Sequence, residues 1–429
     1  MNSSGRMRVL YINHTGQVSG AERVLLDMIK GLDRKYYEPF VACPAEGRLT
    51  RAVTAEDVPC VEIPLVQARF GWRLSQLWQA ARTMGKAVIA VRRTVVYLKP
   101  DVVHANTLRA GIVVSLATAG MSSRPSIWHV HDTLPRHPFS SAIRLLAFLS
   151  RRTQIVTVSD AVAKAFRGRV PFGRKVHTIY NGTDLAQFPL KSYSDLDFRS
   201  TIGIPDNAFL VCAVGQICAR KGLVELVRAF QGIRQLAPTM HLVIAGKVVF
   251  DHEQEYFEML RNVAYAPELK GRVHLIGEIR NTSALLRASD LLVLNSLDEP
   301  FGLVLVEAMS SGTPVLTTRT GGIPEIVEDA RSGWLVEPGD TAGLAGRLLQ
   351  LSQNRPLLDA AAMTARLETC PRFSSERFRE ELKKLYERIA PTTARQRHAP
   401  NPHELGPLVH CQVNAKSNTE HDFKTKFLK

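Results

Sequence analysis

Six cysteines in 429 residues, none in a CxxC pair and none with histidine at zinc-finger spacing, leave neither a disulfide framework nor a metal knuckle. A reducing compartment is the expectation. Long apolar runs are missing too: the most weakly polar stretch, Ala110 to Met121, is too short to span a bilayer. The opening MNSSGRMRVLYIN holds only a strand-length run, so neither export nor integral insertion is expected. A third scarcity is local. No acidic residue occurs between Glu62 and Asp101 or from Thr133 to Ser159, and residues 1–185 hold 26 basic against 12 acidic side chains, whereas 186–429 hold 29 against 28. The formal charge of +15 therefore belongs to one half, which predicts an anionic partner for that half alone. Nucleic acid is not the expected partner, because no aromatic-and-glycine RNA signature accompanies the charge.

What is present is alternation. Short β-branched runs (MRVLYIN, EPFVACP, DVVHANT, SIWHVHD, QIVTVS) are each followed by a helical pattern, and after a Pro/Ser/Asp-rich stretch the pattern restarts with AFLVCAVGQI, HLVIAGK, RVHLIG, LLVLNS and TPVLTT. This is α/β architecture with two helix-covered parallel sheets. The expected organisation is an N-terminal Rossmann-like domain at 1–187, a linker at 188–205, a C-terminal Rossmann-like domain at 206–372, a crossover helix at 373–390 and a disordered tail at 391–429. In SSERFREELKKLYERI one helical face carries Phe378, Leu382, Leu385, Tyr386 and Ile389, with Ser374 or Ser375 as N-cap.

Ligands of such sheets bind at the carboxyl ends of the strands, where loops and helix N-termini expose backbone N–H groups. The loop after AFLVCAVG puts Arg220, Lys221 and Gly222 at a helix start, suited to a diphosphate. The loop after LLVLNS reads LDEPFGLVLVEAM, with Glu299 and Glu307 flanking a Phe301-Gly302-Leu303 turn. A second glycine pair, Gly321-Gly322, follows the next strand. In the N-terminal half, HTGQVSGAE places Gly16 and Gly20 before a helix, and SIWHVHD ends in His131 and Asp132. His104 is a supporting candidate. Asp195-Leu196-Asp197 is a DxD, but it lies in the polar stretch and not after a strand, which argues against a metal site there.

The stretch from Glu299 to Glu325, with Gly215 and Lys221-Gly222 upstream, closely resembles the retaining glycosyltransferases of family GT4, whose signature is a Glu-x7-Glu pair in an EPFGxxxxEAM context. The resemblance runs nearly to Ile389 and implies a GT-B fold, two Rossmann-like domains facing across a cleft. It implies that Glu299 lies by the donor sugar, Glu307 holds the ribose and Lys221 binds the diphosphate. It implies further that the GGIPE loop (Gly321, Gly322) lines the donor pocket, that Gly277 to Ile279 lie against the base, that the Gly16–Gly20 loop approaches the donor phosphate, and that His131 faces the reaction centre. One position departs: the family's arginine after the strand glycine is Gln216 here, and Arg220 is the expected substitute.

The expected function is transfer of a sugar, with retention of configuration and no metal cofactor, from a UDP- or GDP-sugar to a membrane-borne lipid or polysaccharide precursor. The alternatives are another GT-B enzyme, such as a nucleotide-sugar epimerase, or a basic anionic-surface binder descended from a glycosyltransferase. Membrane attachment is expected at the cytoplasmic face through an apolar stripe, Phe70, Leu74, Leu77, Trp78, Ala81, Met84, Val88, Val91 and Val95, flanked by Arg69, Arg73, Arg82 and Lys86.

Overall fold

The computed structural model describes residues 5–65, 74–121, 124–135, 137–190 and 196–390. Arg69, Arg73, Phe70 and the expected tail lie outside them. Seven strands build the first sheet: β1 (Met7–Ile12), β2 (Tyr37–Cys43), β3 (Cys60–Glu62), β4 (Val102–Ala105), β5 (Ser126–Val130), β6 (Thr153–Thr157) and β7 (Val176–Thr178). Six build the second: β8 (Phe209–Val214), β9 (Met240–Ala245), β10 (Val273–Gly277), β11 (Leu291–Leu294), β12 (Val315–Thr318) and β13 (Trp334–Val336). Their orders are β3-β2-β1-β4-β5-β6-β7 and β10-β9-β8-β11-β12-β13. Every pairing is parallel. Each order reverses beside the first strand of its sheet, between β1 and β4 and between β8 and β11, and such a switch point opens a crevice at the strand ends.

Both faces of each sheet are covered, which is why the strands read as continuous apolar runs and not as alternating ones. On one face of the first sheet Leu10, Val103, Trp128 and Val130 pack beneath the helices Leu74–Leu98, Leu108–Ala117 and Pro138–Leu149. On the other, Val9, Tyr11, Ile127 and Val156 meet the helix Gly20–Lys30 and the last helix, Ser375–Ile389. That last helix is capped by Ser374, whose side chain accepts from the Arg377 N–H. It buries Phe378, Leu382, Leu385 and Tyr386 against the N-terminal sheet, at roughly 1.5–3 kcal/mol for each large side chain. Arg379 and Ser375 both bond Asp27 on the Gly20–Lys30 helix, tying the last described helix to the first.

Two segments differ from the sequence reading. Within 188–205 the chain forms a helix, Leu196–Thr201. Its Arg199 is buried, pairing with Asp290 at 2.8 Å and donating to the carbonyls of Ala288, Asp206 and Ala208. One arginine satisfied by four partners anchors what composition alone read as linker. In the Leu74–Leu98 helix the buried face is Ala87, Val91, Thr94, Val95 and Leu98, while Trp78 is 73% exposed and Ala81 is exposed, so the expected stripe splits into a packed end and an open end.

Candidate functional site

The first loop after β1 is held by its own sequence. Glu22 stands three residues beyond Ser19 and accepts from its N–H at 3.0 Å, a capping box at the start of the Gly20–Lys30 helix. The same carboxylate takes the amide of Asn13, and Asn106 after β4 bonds Asn13 in turn. Gly16 is required by close approach: a Cβ there would sit 2.2 Å from the carbonyl oxygen of Glu46. His14 of this loop touches Thr107 Oγ1 at 2.9 Å and the Arg109 guanidinium at 3.3 Å, and burial, aided by that guanidinium, pushes it down to about 4. Gly20 has open space around it.

Across the cleft, β8 ends at Gly215 and leads into a 3-10 turn, Ala219–Lys221, before the helix Leu223–Ile233. Gly222 joins turn to helix in the left-handed region (φ 58°), and a Cβ there would lie 2.3 Å from the carbonyl oxygen of Asn295. This junction aims Lys221 at Glu299: Nζ and Oε2 are 2.5 Å apart, and Ser296 Oγ donates to the same oxygen at 2.9 Å. Burial opposes a charge on Glu299, but Lys221 and then Arg220 outweigh it and hold its carboxyl below the usual range. The Arg220 guanidinium lies 3.9 Å from Glu299 and donates to the Asp298 carbonyl at 2.7 Å. Gln216 is half-buried beside Lys221 in a narrow crevice.

Gly302 caps the helix Leu303–Ser310, and Glu307 lies buried on that helix. Burial raises the Glu307 carboxyl, and the only ion pair described for it is Arg23 of the N-terminal domain at 3.9 Å. Phe301 is 3% exposed, its ring packed on Tyr180 and Phe373, so what it offers the cleft is backbone. Leu303 is half-buried at the inter-domain contact. Gly322 N–H bonds the Glu299 carbonyl at 2.9 Å, tying the GGIPE loop to the glutamate loop. At the third corner Gly277 is open and Ile279 half-buried, and Glu278 between them is bidentate with Arg48 of the N-terminal domain (2.8 and 2.9 Å) and paired with Lys247. These two cations lower the Glu278 carboxyl to about 2.

His131 follows β5 directly, and its ring packs on that of His129, centroids 4.1 Å apart. Burial pushes its imidazole down to about 3. Asp132 beside it is raised by burial and feels Arg220, Arg109, Asp298 and Glu299, charges from both domains. Next along, Thr133 Oγ1 bonds Asp298 at 3.1 Å and Ser159 Oγ bonds the Pro300 carbonyl at 2.7 Å. His104 is wholly buried and touches no cleft space. Arg82 and Lys86 are exposed on the Leu74–Leu98 helix. Among the described residues no three His, Cys, Asp or Glu side chains stand as a metal-binding group.

Sequence reading passed over Arg23, Arg48 and Arg109, and named Glu325 only as the end of the GGIPE motif. The last of these reaches across the cleft, accepting from the N–H groups of Asp160 and Ala161, both at 2.8 Å. The signal available was weak: each lies in the first turn of the helix that follows a strand, as many solvated residues do.

The family model described as Glycosyl transferases group 1 matches residues 195–368, and that described as Glycosyltransferase Family 4 matches residues 18–187. The chain belongs to the GT4-type glycosyltransferases. Like other glycosyltransferases of this type it has the GT-B fold. It is similar to HepE of Anabaena, solved with UDP and glucose, with 26% identity and a TM-score of 0.75 over 89% of this chain and 100% of that one. The glycosyltransferase WaaG, involved in lipopolysaccharide biosynthesis, shares the fold at 16% identity, with a TM-score of 0.67 over 88% of this chain and 99% of WaaG. Among curated proteins it is 28% identical to N-acetyl-alpha-D-glucosaminyl L-malate synthase of Bacillus anthracis over 56% of this chain and 61% of the relative. It is 23% identical to the UDP-Gal:alpha-D-GlcNAc-diphosphoundecaprenol alpha-1,3-galactosyltransferase of Escherichia coli over 83% and 90%. The chain spans about half to three-fifths of the length of the curated relatives it matches first, 49% to 61%.

Proposed function

We propose that this chain transfers a sugar from a nucleoside diphosphate donor to a lipid-linked or polysaccharide-precursor acceptor, retaining the donor's anomeric configuration and using no metal. The observation that carries the reading is the cation cluster at the carboxyl end of β8. Lys221, backed by Arg220, sits at a helix start and is paired with Glu299, and the charges of Arg220 and Glu299 act on Asp132, the neighbour of His131 in the N-terminal domain. A diphosphate entering there exchanges one anionic partner for another, so the ammonium is placed before the donor arrives and takes up charge as the nucleotide leaves. Glu307, buried with only a long contact to Arg23, is free to accept the ribose hydroxyls. A UDP-sugar is the favoured donor, since HepE is solved with UDP-glucose bound and the Escherichia coli relative is named for UDP-Gal. That relative's diphosphoundecaprenol acceptor supports a lipid-linked one here.

The acceptor's membrane is reached, in this reading, through three neighbouring helices of the N-terminal domain. No helix among the described residues is long and apolar enough to cross a membrane. Yet Trp78, Ile89, Val96 and Tyr97 of Leu74–Leu98, Leu116 of Leu108–Ala117, and Phe139, Leu145, Phe148 and Leu149 of Pro138–Leu149 are exposed beside Arg82, Lys86, Arg93, Arg151 and Arg152. Large apolar side chains interleaved with cations suit an anionic bilayer surface at the cytoplasmic face.

The test is a panel of UDP- and GDP-sugars incubated with the full chain, membrane extract and a chelator, followed by mass spectrometry. One donor consumed with transfer to lipid, undiminished by the chelator, is expected. Glu307→Ala and Lys221→Ala should weaken donor binding by roughly 1.5–3 kcal/mol each, and Glu299→Ala and His131→Ala should chiefly slow turnover. Wild-type rates in all four variants overturn the site, and a demand for Mn²⁺ or Mg²⁺ overturns the metal-free mechanism.

A further inference from the structure

Behind His131 lies a buried line of rings. Tyr386 Oη stands 3.2 Å from Tyr11 Oη and 2.7 Å from His104 Nδ1, and His104 Nε2 stands 3.3 Å from His129 Nδ1. The His129 ring then packs on His131, centroids 4.1 Å apart, and Phe378 stacks on His129 at 6.2 Å. Tyr11, His104 and His129 are wholly buried and Tyr386 is 1% exposed. Tyr386 and Phe378 both belong to the last described helix, while Tyr11, His104 and His129 sit on β1, β4 and β5, and His131 directly follows β5. The donor site, as read above, uses none of these rings but His131.

Such a line permits two proton arrangements. In one, Tyr11 donates to Tyr386, Tyr386 to His104 Nδ1, and His104 Nε2–H to His129 Nδ1, which leaves the proton of His129 on Nε2. In the other every donor reverses: Tyr386 donates to Tyr11, His104 Nδ1–H to Tyr386 and His129 Nδ1–H to His104, which leaves a lone pair on His129 Nε2. Burial keeps the imidazoles neutral, so tautomer and not charge is what the line transmits. The Nε2 atoms of His129 and His131 are themselves buried without a hydrogen-bond partner, so the orientation of His131 depends on the ring it packs against.

We propose that Tyr386, through its hydrogen bond to His104 and the bond from His104 to His129, is a positioning residue for His131, so that the last described helix, Ser375–Ile389, sets the ring geometry at the cleft. The inference rests on reading His131 as facing the reacting sugar. It explains why a helix that follows the donor domain in sequence is built into the other domain's core.

The test uses the full chain labelled with 15N-histidine, with long-range proton–nitrogen spectra reporting each tautomer, alongside steady-state kinetics. Tyr386→Phe keeps the ring and removes the hydroxyl. Expected are single tautomers at His104 and His129 in the wild type, altered tautomers at both in the variant, and a kcat lower by about tenfold with donor KM within about twofold. His104→Asn, which breaks the line one ring further in, should reproduce the kcat loss, and it carries the test if Tyr386→Phe does not fold. Unaltered His129 and His131 signals, or a wild-type kcat in either folded variant, overturns the proposal. His131→Ala separates the two failures: if it too turns over at the wild-type rate, the reading of the site has failed, and if it alone is slow, only the positioning line has.

Discussion

Arg220 and Gln216 decide how charge reaches a leaving diphosphate. A glutamine supplies no fixed charge, but Arg220 stands 3.9 Å from the carboxylate that Lys221 holds, so both cations address one point. Arg220→Ala is therefore expected to raise donor KM by about tenfold or more, and Gln216→Arg to leave it equal or lower, measured by titrating the donor. A silent Arg220→Ala with strong activation by Gln216→Arg would mean that the natural site is weakened. His104, His129 and His131 make a second residue-scale prediction. Burial lowers all three below the ordinary histidine value, His104 and His131 to about 3, so the unfolded chain binds more protons than the folded one between there and pH 6.5. Stability should accordingly be complete above about pH 6.5 and fall as pH drops, each histidine adding up to about 1.4 kcal/mol per pH unit. Urea unfolding at pH 7, 6 and 5 measures this; a flat profile would show the imidazoles to be solvated.

Glu325 works between elements. Its carboxylate accepts two N–H groups at the start of the Asp160–Arg167 helix, where four donors lack intrahelical partners and the helix dipole favours negative charge. The glutamate belongs to the C-terminal domain and the helix to the N-terminal one, so this cap exists only while the domains are together. Glu325→Ala should cost about 1 kcal/mol of inter-domain stability, read as faster amide exchange at Asp160 and Ala161 with little change at the Leu223–Ile233 helix. Equal exchange in variant and wild type would show that Ser159 and Thr133 hold the domains without it. The cap of the last described helix was legible from spacing, as one of the two serines Ser374 and Ser375, because caps are local; the Ser19–Glu22 capping box is as local and was not read. The anchoring of Arg199 was not legible, since backbone carbonyls carry no residue signature and its carboxylate partner, Asp290, lies 91 residues away.

At the scale of the molecule, the basic half and the donor site belong to different domains, and their functions should separate. The full chain should pellet with anionic vesicles and not with neutral ones, and high salt should release it. Neutralising Arg69, Arg73, Arg82 and Lys86 together should reduce pelleting severalfold while nucleotide affinity holds, as the cluster at β8 is untouched. Pelleting that survives the quadruple change assigns the exposed apolar residues of Pro138–Leu149, or none of these helices, to the surface. Not every cation contributes: Arg92 is spent on the carbonyls of Ala117 and Ala119, and Arg144 on those of Ala165 and Phe166.

Strand and helix alternation, the two parallel sheets and the Glu299–Glu307 loop are all present in sequence, because hydrophobic period and strand-end loops are set by neighbours a few residues apart. The last helix was legible as a helix for the same reason. Which distant residues meet was decided only by the tertiary structure. Arg23 with Glu307, Arg48 with Glu278, Glu325 with the Asp160 helix, and Tyr386 with His104 each join residues far apart in the chain. Their pairing depends on how two sheets and a returning helix pack, and packing of that range leaves no periodicity in the sequence.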